Sequence, residues 1–377
     1  MLKKMSDFIA KREILRAFLG VSAVSVVARL AQIVMAVILA RALTPDGYGS
    51  FVFATGVALI GGRLGALGWP VLMMRFIPTY SEAGDWQLLN GLLKQSFWVV
   101  LGGSFFAAGV IGIGAGLVGS SHHLFDGLVL GALLLPCMSF QALRRNQLAG
   151  LKRPAHAVLI NELIPPTLLV VSASIIGVDD LRTAGAAYIV AHLASLALGT
   201  QFVVRFVPPK ARAAEPSTNL WPWMKTALPA LVGTSALLLM NKIDVLMLAP
   251  LSNLTEFGYY GVALRLTYLQ TAPVILLSVI LAPRLSSARA AKRFGQFNRL
   301  FFGALAFSVV ASLPLGAILF LGRDSIISLL FGSTYLDAAP VLSVLVLSQI
   351  VAALTIPTTS LLLMAGEQNK FGMVMGS

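Results

Sequence analysis

The chain has 377 residues, of which 57% are hydrophobic and only 11% charged, with a mean hydropathy of +0.86. An ordinary soluble domain carries about a quarter charged residues, so this composition excludes one and places the chain in a bilayer. The net charge of +13 would suit nucleic acid, but its distribution along the chain follows membrane sides instead.

Ten apolar runs are long enough to cross a membrane, each needing roughly 20 residues. They lie near 17–41, 49–70, 91–119, 124–143, 155–177, 183–205, 223–249, 257–283, 298–321 and 339–365. Lipid offers the backbone no hydrogen-bond partner, so these runs are predicted as helices. A β-barrel would show alternating segments of about ten residues, and none is present. Ahead of the first run, Asp7–Arg16 reads as a short interfacial helix. Ala40-Arg41-Ala42 resembles a signal cleavage site. The run before it is about twice the length of a signal core, which makes it an uncleaved span.

With the N-terminus inside, the inner loops and helix ends collect Lys3, Lys4, Lys11, Arg12, Arg16, Arg75, Lys94, Arg144, Arg145, Lys152, Arg153, Arg205 and Lys225. The outer loops hold only Arg41, Arg182 and Arg323. That asymmetry is the positive-inside pattern. It predicts a multi-pass membrane protein with a cytoplasmic N-terminus. The basic loops then serve topology and contact with anionic membrane lipids, not nucleic acid.

The chain also repeats itself at an offset of 209 residues. Tyr48-Gly49-Ser50-Phe51-Val52-Phe53-Ala54 aligns with Phe257-Gly258-Tyr259-Tyr260-Gly261-Val262-Ala263. At the same offset Gln32 falls on Asn241, Arg75 on Arg284 and Gln87 on Gln296. Six spans precede the second copy, so both copies start from the same side, as parallel repeats with a substrate path between them. The predicted organisation is an N-terminal lobe over 1–205, a polar Pro/Ala-rich linker over 206–222, and a C-terminal lobe over 223–377. That second lobe has four spans, so the reading expects a truncated copy of a six-helix unit.

No soluble catalytic machinery is visible: there is no GxxxxGK[ST], HExxH or CxxC. The reading is a non-enzyme with no cofactor and no metal. His122-His123 reads as a solvated pair in an outer turn, and the lone Cys137 lies inside a span. Glycine pairs and glycine-rich runs such as Gly109–Gly119 are predicted to mark close helix packing.

Function is expected from polar groups within the spans, since a charge at mid-membrane is costly and faces a bundle interior or a wet cavity. At ~1.5 Å per helical residue, Arg29 and Arg63 lie roughly 18–21 Å from the outer face, and Glu162 reaches a similar level. Beyond Glu162, Pro165-Pro166 should bend the helix and free backbone carbonyls. The first cluster is therefore Arg29, Gln32, Arg63, Asn161 and Glu162. A second, nearer the outer face, comprises Asn241, Lys242, Asp244 and Arg265, with Asp244 and Arg265 able to pair. The predicted substrate-binding set is Arg29, Arg63, Arg265, Lys242, Gln32 and Asn241, with Glu162 and Asp244 as coupling or ion-pair groups. Structural readings stand beside these. Arg63 and Lys242 also fit snorkelling to an interface, Asp244 with Arg265 a purely structural pair, and Glu162 a cap for freed backbone. Gln32, Asn161, Asn241 and His192 also suit interhelical hydrogen bonding. Four cations (Arg29, Arg63, Lys242, Arg265) against two acids make a cationic cavity, which favours an anionic solute; arginine forks suit phosphate.

The stretch Leu39-Ala40-Arg41-Ala42-Leu43-Thr44-Pro45-Asp46-Gly47-Tyr48-Gly49-Ser50-Phe51 resembles the end of the first helix in polysaccharide biosynthesis proteins, the Wzx-type oligosaccharide-lipid flippases. Arg75-Phe76-Ile77-Pro78, the loop Gln147–Arg153, Phe257-Gly258-Tyr259-Tyr260 and Leu330-Phe331-Gly332-Ser333-Thr334-Tyr335 are similar to that family too. The resemblance implies the fold of the multidrug/oligosaccharidyl-lipid/polysaccharide exporters, an all-α integral membrane protein of two helical lobes in a V. It implies flipping of undecaprenyl-diphosphate-linked repeat units for O-antigen, capsule or exopolysaccharide, alongside polymerase or assembly proteins. The alternatives are a multidrug exporter or lipid II flippase of the same fold. A membrane glycosyltransferase or polymerase fits less well, because the outer loops are short, and a non-transporting scaffold leaves the buried arginines unexplained.

Overall fold

The computed structural model describes residues 2–271 and 293–364, and every described element is helical. Helix α1 spans Leu2–Ala42. Thr44 then caps α2 (Pro45–Gly65) by accepting a hydrogen bond from the Gly47 N–H at 3.2 Å, with Pro45 at the first helical position. The next elements are α3 (Trp69–Ala83), α4 (Trp86–Val118), α5 (Phe125–Gly150), α6 (Pro154–Ile176) and α7 (Leu181–Phe206). A short α8 (Pro209–Ala213) leads to α9 (Leu220–Leu251) and α10 (254–271). After the undescribed stretch come α11 (Phe294–Leu321), α12 (Arg323–Phe331) and α13 (Ala338–Met364).

Seven described helices are individually long and apolar enough to cross a membrane, and the bent pair α2–α3 is so when taken together. α13 covers the tenth predicted run, and α10 the first part of the eighth, whose residues 272–283 lie outside the described residues.

The second crossing differs from its expected continuous run. It breaks between α2 and α3 with a 53° bend. Leu67 and Gly68 adopt left-handed backbone, with φ of 50° and 75°. A Cβ on Gly68 would lie 2.2 Å from the Ala227 carbonyl oxygen, so only glycine permits this approach of the bend to α9. Beyond the bend, α3 buries Trp69, Leu72, Met73 and Ile77.

The chain forms two compact units, Met1–Gly258 and Tyr259–Ser377. In the first, α5 is the central helix, packed against α2, α3, α4 and α7, while α9 packs on α2 and α3. The linker is held rather than loose. The Asn90 side chain donates to the Ala214 carbonyl at 2.6 Å, and the Ser217 N–H donates to the Gln87 carbonyl at 3.1 Å. Trp223 Nε1 donates to the Tyr80 hydroxyl at 2.9 Å, and its ring meets Trp69 edge-on at 6.0 Å. In the second unit, α11 packs on α13. The buried Gln270 side chain donates to the carbonyls of Ser312 and Val346, both at 3.4 Å.

The glycine expectation holds at the pair Gly61-Gly62 and requires correction along the run Gly109–Gly119. Gly109, Gly112, Gly114 and Gly116 face open space, and so does Gly119, rather than a neighbouring helix. That half of α4 also exposes Phe105, Phe106, Ile113 and Leu117. Close approach occurs instead at Gly61, Gly65, Gly103, Gly127 and Gly131, where helices cross and an added Cβ would meet atoms at 2.1 to 3.0 Å. A missing Cβ brings two helices together only where their axes cross, and periodicity along one chain does not reveal the crossing point.

Candidate functional site

The site grows from two prolines. In an α-helix each carbonyl accepts from the N–H four residues ahead, but Pro165 and Pro166 have none. The Asn161 and Glu162 carbonyls of α6 therefore lose their partners. The helix responds with a π-turn over Leu159–Leu163, in which the Ile164 N–H reaches back to the Leu159 carbonyl. The Ile160 carbonyl is thereby released as well, because the residue five ahead is Pro165.

Neighbouring helices supply donors to two of these carbonyls, those of Ile160 and Glu162. Gln141 of α5 donates through Nε2 to the Ile160 carbonyl at 2.6 Å, and the Ser195 hydroxyl of α7 donates to the same oxygen. Gln141 Nε2 also lies 3.1 Å from Ser195 Oγ, and its Oε1 is 2.5 Å from His192 Nδ1. On the other side, Gln32 of α1 donates through Nε2 to the Glu162 carbonyl at 3.4 Å. Gln32 and His192 therefore make the interhelical hydrogen bonds that the sequence reading offered as their structural role. The capping of freed backbone, expected of the Glu162 side chain, is done instead by Gln32, Gln141 and Ser195.

The π-turn leaves the Glu162 carboxylate to meet Arg145 of α5, with Arg145 NH2 3.6 Å from Glu162 Oε1. Both side chains remain partly open, 42% and 27% exposed. Arg63 of α2 lies close enough to Arg145 for the two like charges to repel. Arg29 is half-buried on the same face of α1 as Gln32, three residues away. It has no hydrogen-bond or ion-pair partner among the described residues. A second arginine on α5, Arg144, turns the other way and is tied to Thr200 at 3.1 Å and to Gln147 at 2.8 Å.

Arg145 was not among the predicted site residues. The predicted fourth run ended at 143, so Arg144 and Arg145 counted as inner-loop charges, whereas α5 continues to Gly150. The available signal was helical spacing: Gln141, Arg144 and Arg145 recur at i, i+3 and i+4.

The second predicted cluster is divided between the two units. Lys242 and Asp244 are half-buried on α9, and Arg265 on α10 holds its guanidinium 5.9 Å from the centre of the Tyr268 ring. The Asn241 side chain lies outside the described residues. No group of three or more metal-ligating side chains occurs among the described residues.

These crossings, helices and buried polar bridges define a multi-pass all-α membrane protein with an exporter fold. Solved structures agree. An inward-facing multidrug resistance MATE family transporter of the MOP superfamily is similar at a TM-score of 0.74 and 17% identity, covering 91% of this chain and 82% of that one. An outward-facing MATE transporter matches at 0.59 and 15% identity, over 95% and 83%. A MOP superfamily transporter from Pyrococcus furiosus, described as having a binding pocket of reversed polarity, matches at 0.60 and 15% identity, over 94% and 83%. No curated protein matches the chain. The family model for polysaccharide biosynthesis proteins matches residues 14–289, and the chain belongs to that family.

Proposed function

We propose that this protein is a flippase for a polyprenyl-diphosphate-linked oligosaccharide, moving undecaprenyl-linked repeat units outward across a bacterial inner membrane for surface polysaccharide synthesis. The observation that carries the reading is the charge balance where α1, α2, α5 and α6 meet. Arg145 there pairs with Glu162, the one acid of the predicted cluster, and Arg63 and Arg29 add two further half-buried cations. An excess of guanidinium in a partly desolvated site attracts a diphosphate, and the fork geometry binds two of its oxygens at once. Glu162 holds Arg145 while no substrate is bound, and a diphosphate competes for it. Arg29 and Arg63 hold the head group in the inward-open state. Lys242, Asp244 and Arg265 lie along the outward path. Family membership supports the substrate class, and the fold supports alternating access.

A multidrug exporter taking cationic drugs fits this charge balance poorly. The test is a flipping assay on reconstituted full-length protein with a labelled lipid-linked oligosaccharide, paired with measurement of surface polysaccharide in cells. Loss of one charge-assisted contact costs about 1.5–3 kcal/mol, so Arg29→Ala, Arg63→Ala and Arg145→Ala should each lower flipping by about tenfold or more. Wild-type rates in all three would remove the binding role.

A further inference from the structure

A second cationic site lies apart from that cluster, in a groove of about 410 Å³ between α3 and α9. Its lining includes Arg75 and Lys225, the hydroxyl-bearing Thr226, and apolar walls from Val71, Leu72 and Pro229. No acid lines it. The two helices are joined along one side by the Trp69–Trp223 edge contact and by Gly68 against Ala227. Val71 and Arg75, four apart, share the adjoining face of α3, as Lys225 and Pro229 do on α9. The groove is the space left beyond that junction.

Both cations are braced by aromatic rings. The Arg75 guanidinium lies 5.4 Å from the centre of Phe76, and the Lys225 ammonium 5.2 Å from the centre of Trp221. Cation–π contacts of this kind restrain where the charge sits without neutralising it. Neither cation has a carboxylate partner among the described residues. The sequence repeat carries a basic residue at both corresponding positions. The offset of 209 carries Arg75 onto Arg284 and Arg16 onto Lys225, although Arg284 and the Arg16 side chain lie outside what is described.

We propose that this groove binds the phosphate group of a membrane lipid, with the two cations on the phosphate oxygens and the first carbons of its chain along Val71, Leu72 and Pro229. A basic pocket between membrane helices at the end with positive loops is suited to lipid phosphate, and the apolar wall distinguishes such a ligand from a soluble anion. Two lipids carry this chemistry. One is a resident anionic phospholipid. The other is the lipid diphosphate of the proposed transport cycle, for which the groove would be a waiting position. That second source rests on the flippase reading.

The experiment is native mass spectrometry of the full-length protein released from nanodiscs. Four probes are compared: phosphatidylglycerol, phosphatidylcholine, a polyprenyl diphosphate, and inorganic diphosphate. Wild type should retain one phosphatidylglycerol or polyprenyl diphosphate per groove in preference to phosphatidylcholine. At about 1 kcal/mol per basic residue, Arg75→Gln and Lys225→Gln should each weaken retention about fivefold, and Arg75→Lys and Lys225→Arg should preserve it. Stronger retention of the polyprenyl diphosphate identifies the substrate as the source; equal or stronger retention of phosphatidylglycerol identifies a resident lipid. Phosphatidylcholine held as well as phosphatidylglycerol would overturn the proposal. So would unchanged retention in both Gln variants that elute as monodisperse protein, or displacement of lipid by inorganic diphosphate at equal concentration. A chain that flips normally while its Gln variants keep their lipid fails the groove alone. A chain that holds phosphatidylglycerol there but flips nothing fails the transport reading alone.

Discussion

Gly49 and Gly258 meet backbone to backbone, and the contact is reciprocal. A Cβ on Gly49 would lie 2.1 Å from the Leu254 carbonyl oxygen, and one on Gly258 would lie 2.3 Å from the Pro45 carbonyl oxygen. The offset of 209 residues carries Pro45 onto Leu254 and Gly49 onto Gly258. The same offset relates Asp46 to Thr255, whose hydroxyl donates to the Asp46 carboxylate. The start of α2 and the start of α10 therefore pack as two copies of one surface, each presenting its glycine to the other's carbonyl. Such a self-complementary contact is what a two-fold axis produces.

Neither glycine tolerates a side chain, because the obstacle in each case is backbone. Gly49→Ala and Gly258→Ala should each destabilise the protein by about 1–3 kcal/mol, the usual cost of overpacking. Gly112→Ala adds its methyl to open space and should be neutral, or stabilising by up to ~1 kcal/mol through helix propensity. Thermal unfolding in detergent of the three variants checks the contrast; equal effects would show that crossing geometry does not matter.

The same seam can be locked covalently. Asp46→Cys with Thr255→Cys, in a background carrying Cys137→Ser, should form a disulfide when treated with copper-phenanthroline and air. Maleimide labelling should then disappear and return with reductant. If the two helix starts must separate during transport, flipping should be lost and regained in step with labelling. Thiols that stay reactive under oxidation would contradict the packing.

The π-turn of α6 depends on donors from other helices. Gln141→Leu or Ser195→Ala removes a donor from the buried Ile160 carbonyl and should cost about 1–3 kcal/mol. Pro166→Ala restores an N–H four residues after Glu162, giving that carbonyl a local partner. Gln32→Ala should then cost less in the Pro166→Ala background than in wild type. A double-mutant cycle of thermal stabilities should give a coupling of about 0.5–1.5 kcal/mol, and no coupling would mean that Gln32 does not serve this carbonyl.

Asp180 supplies a pH dependence outside the spans. It caps α7 by accepting from the Thr183 hydroxyl and the Thr183 N–H, and these bonds, with Arg182 nearby, hold its carboxyl below the usual range. A depressed folded value means that the stabilisation is complete above the unfolded value of about 3.9 and is lost as pH falls through the folded value. Asp180→Ala should therefore lower the melting temperature at pH 7, and the difference from wild type should shrink below about pH 4. A difference that persists unchanged into acid would rule out the carboxylate as the cause.

Much of this was legible in the residues. The apolar runs predict the observed crossings, the prolines after Glu162 predict freed carbonyls, and the 209-residue offset marks positions that do meet at Gly49 and Gly258. The bend at Leu67-Gly68 was not legible, because the apolar run continues through it and the cause is the closeness of Ala227. Arg145 was hidden by a helix boundary drawn seven residues short, which turned a site cation into a loop charge. Gln141 carries no sign on its own helix of the carbonyl it must satisfy on another.

The sequence by itself determined that the chain crosses a membrane many times, which end of each helix collects positive charge, and that one half echoes the other. Those properties follow from transfer free energies and chain periodicity, which are local sums over residues. Only the tertiary structure decided which glycines are contacts, which carbonyls borrow donors, and which arginine meets Glu162. Each of these depends on where two helix axes cross, and a crossing is a relation between distant segments that neither segment encodes alone.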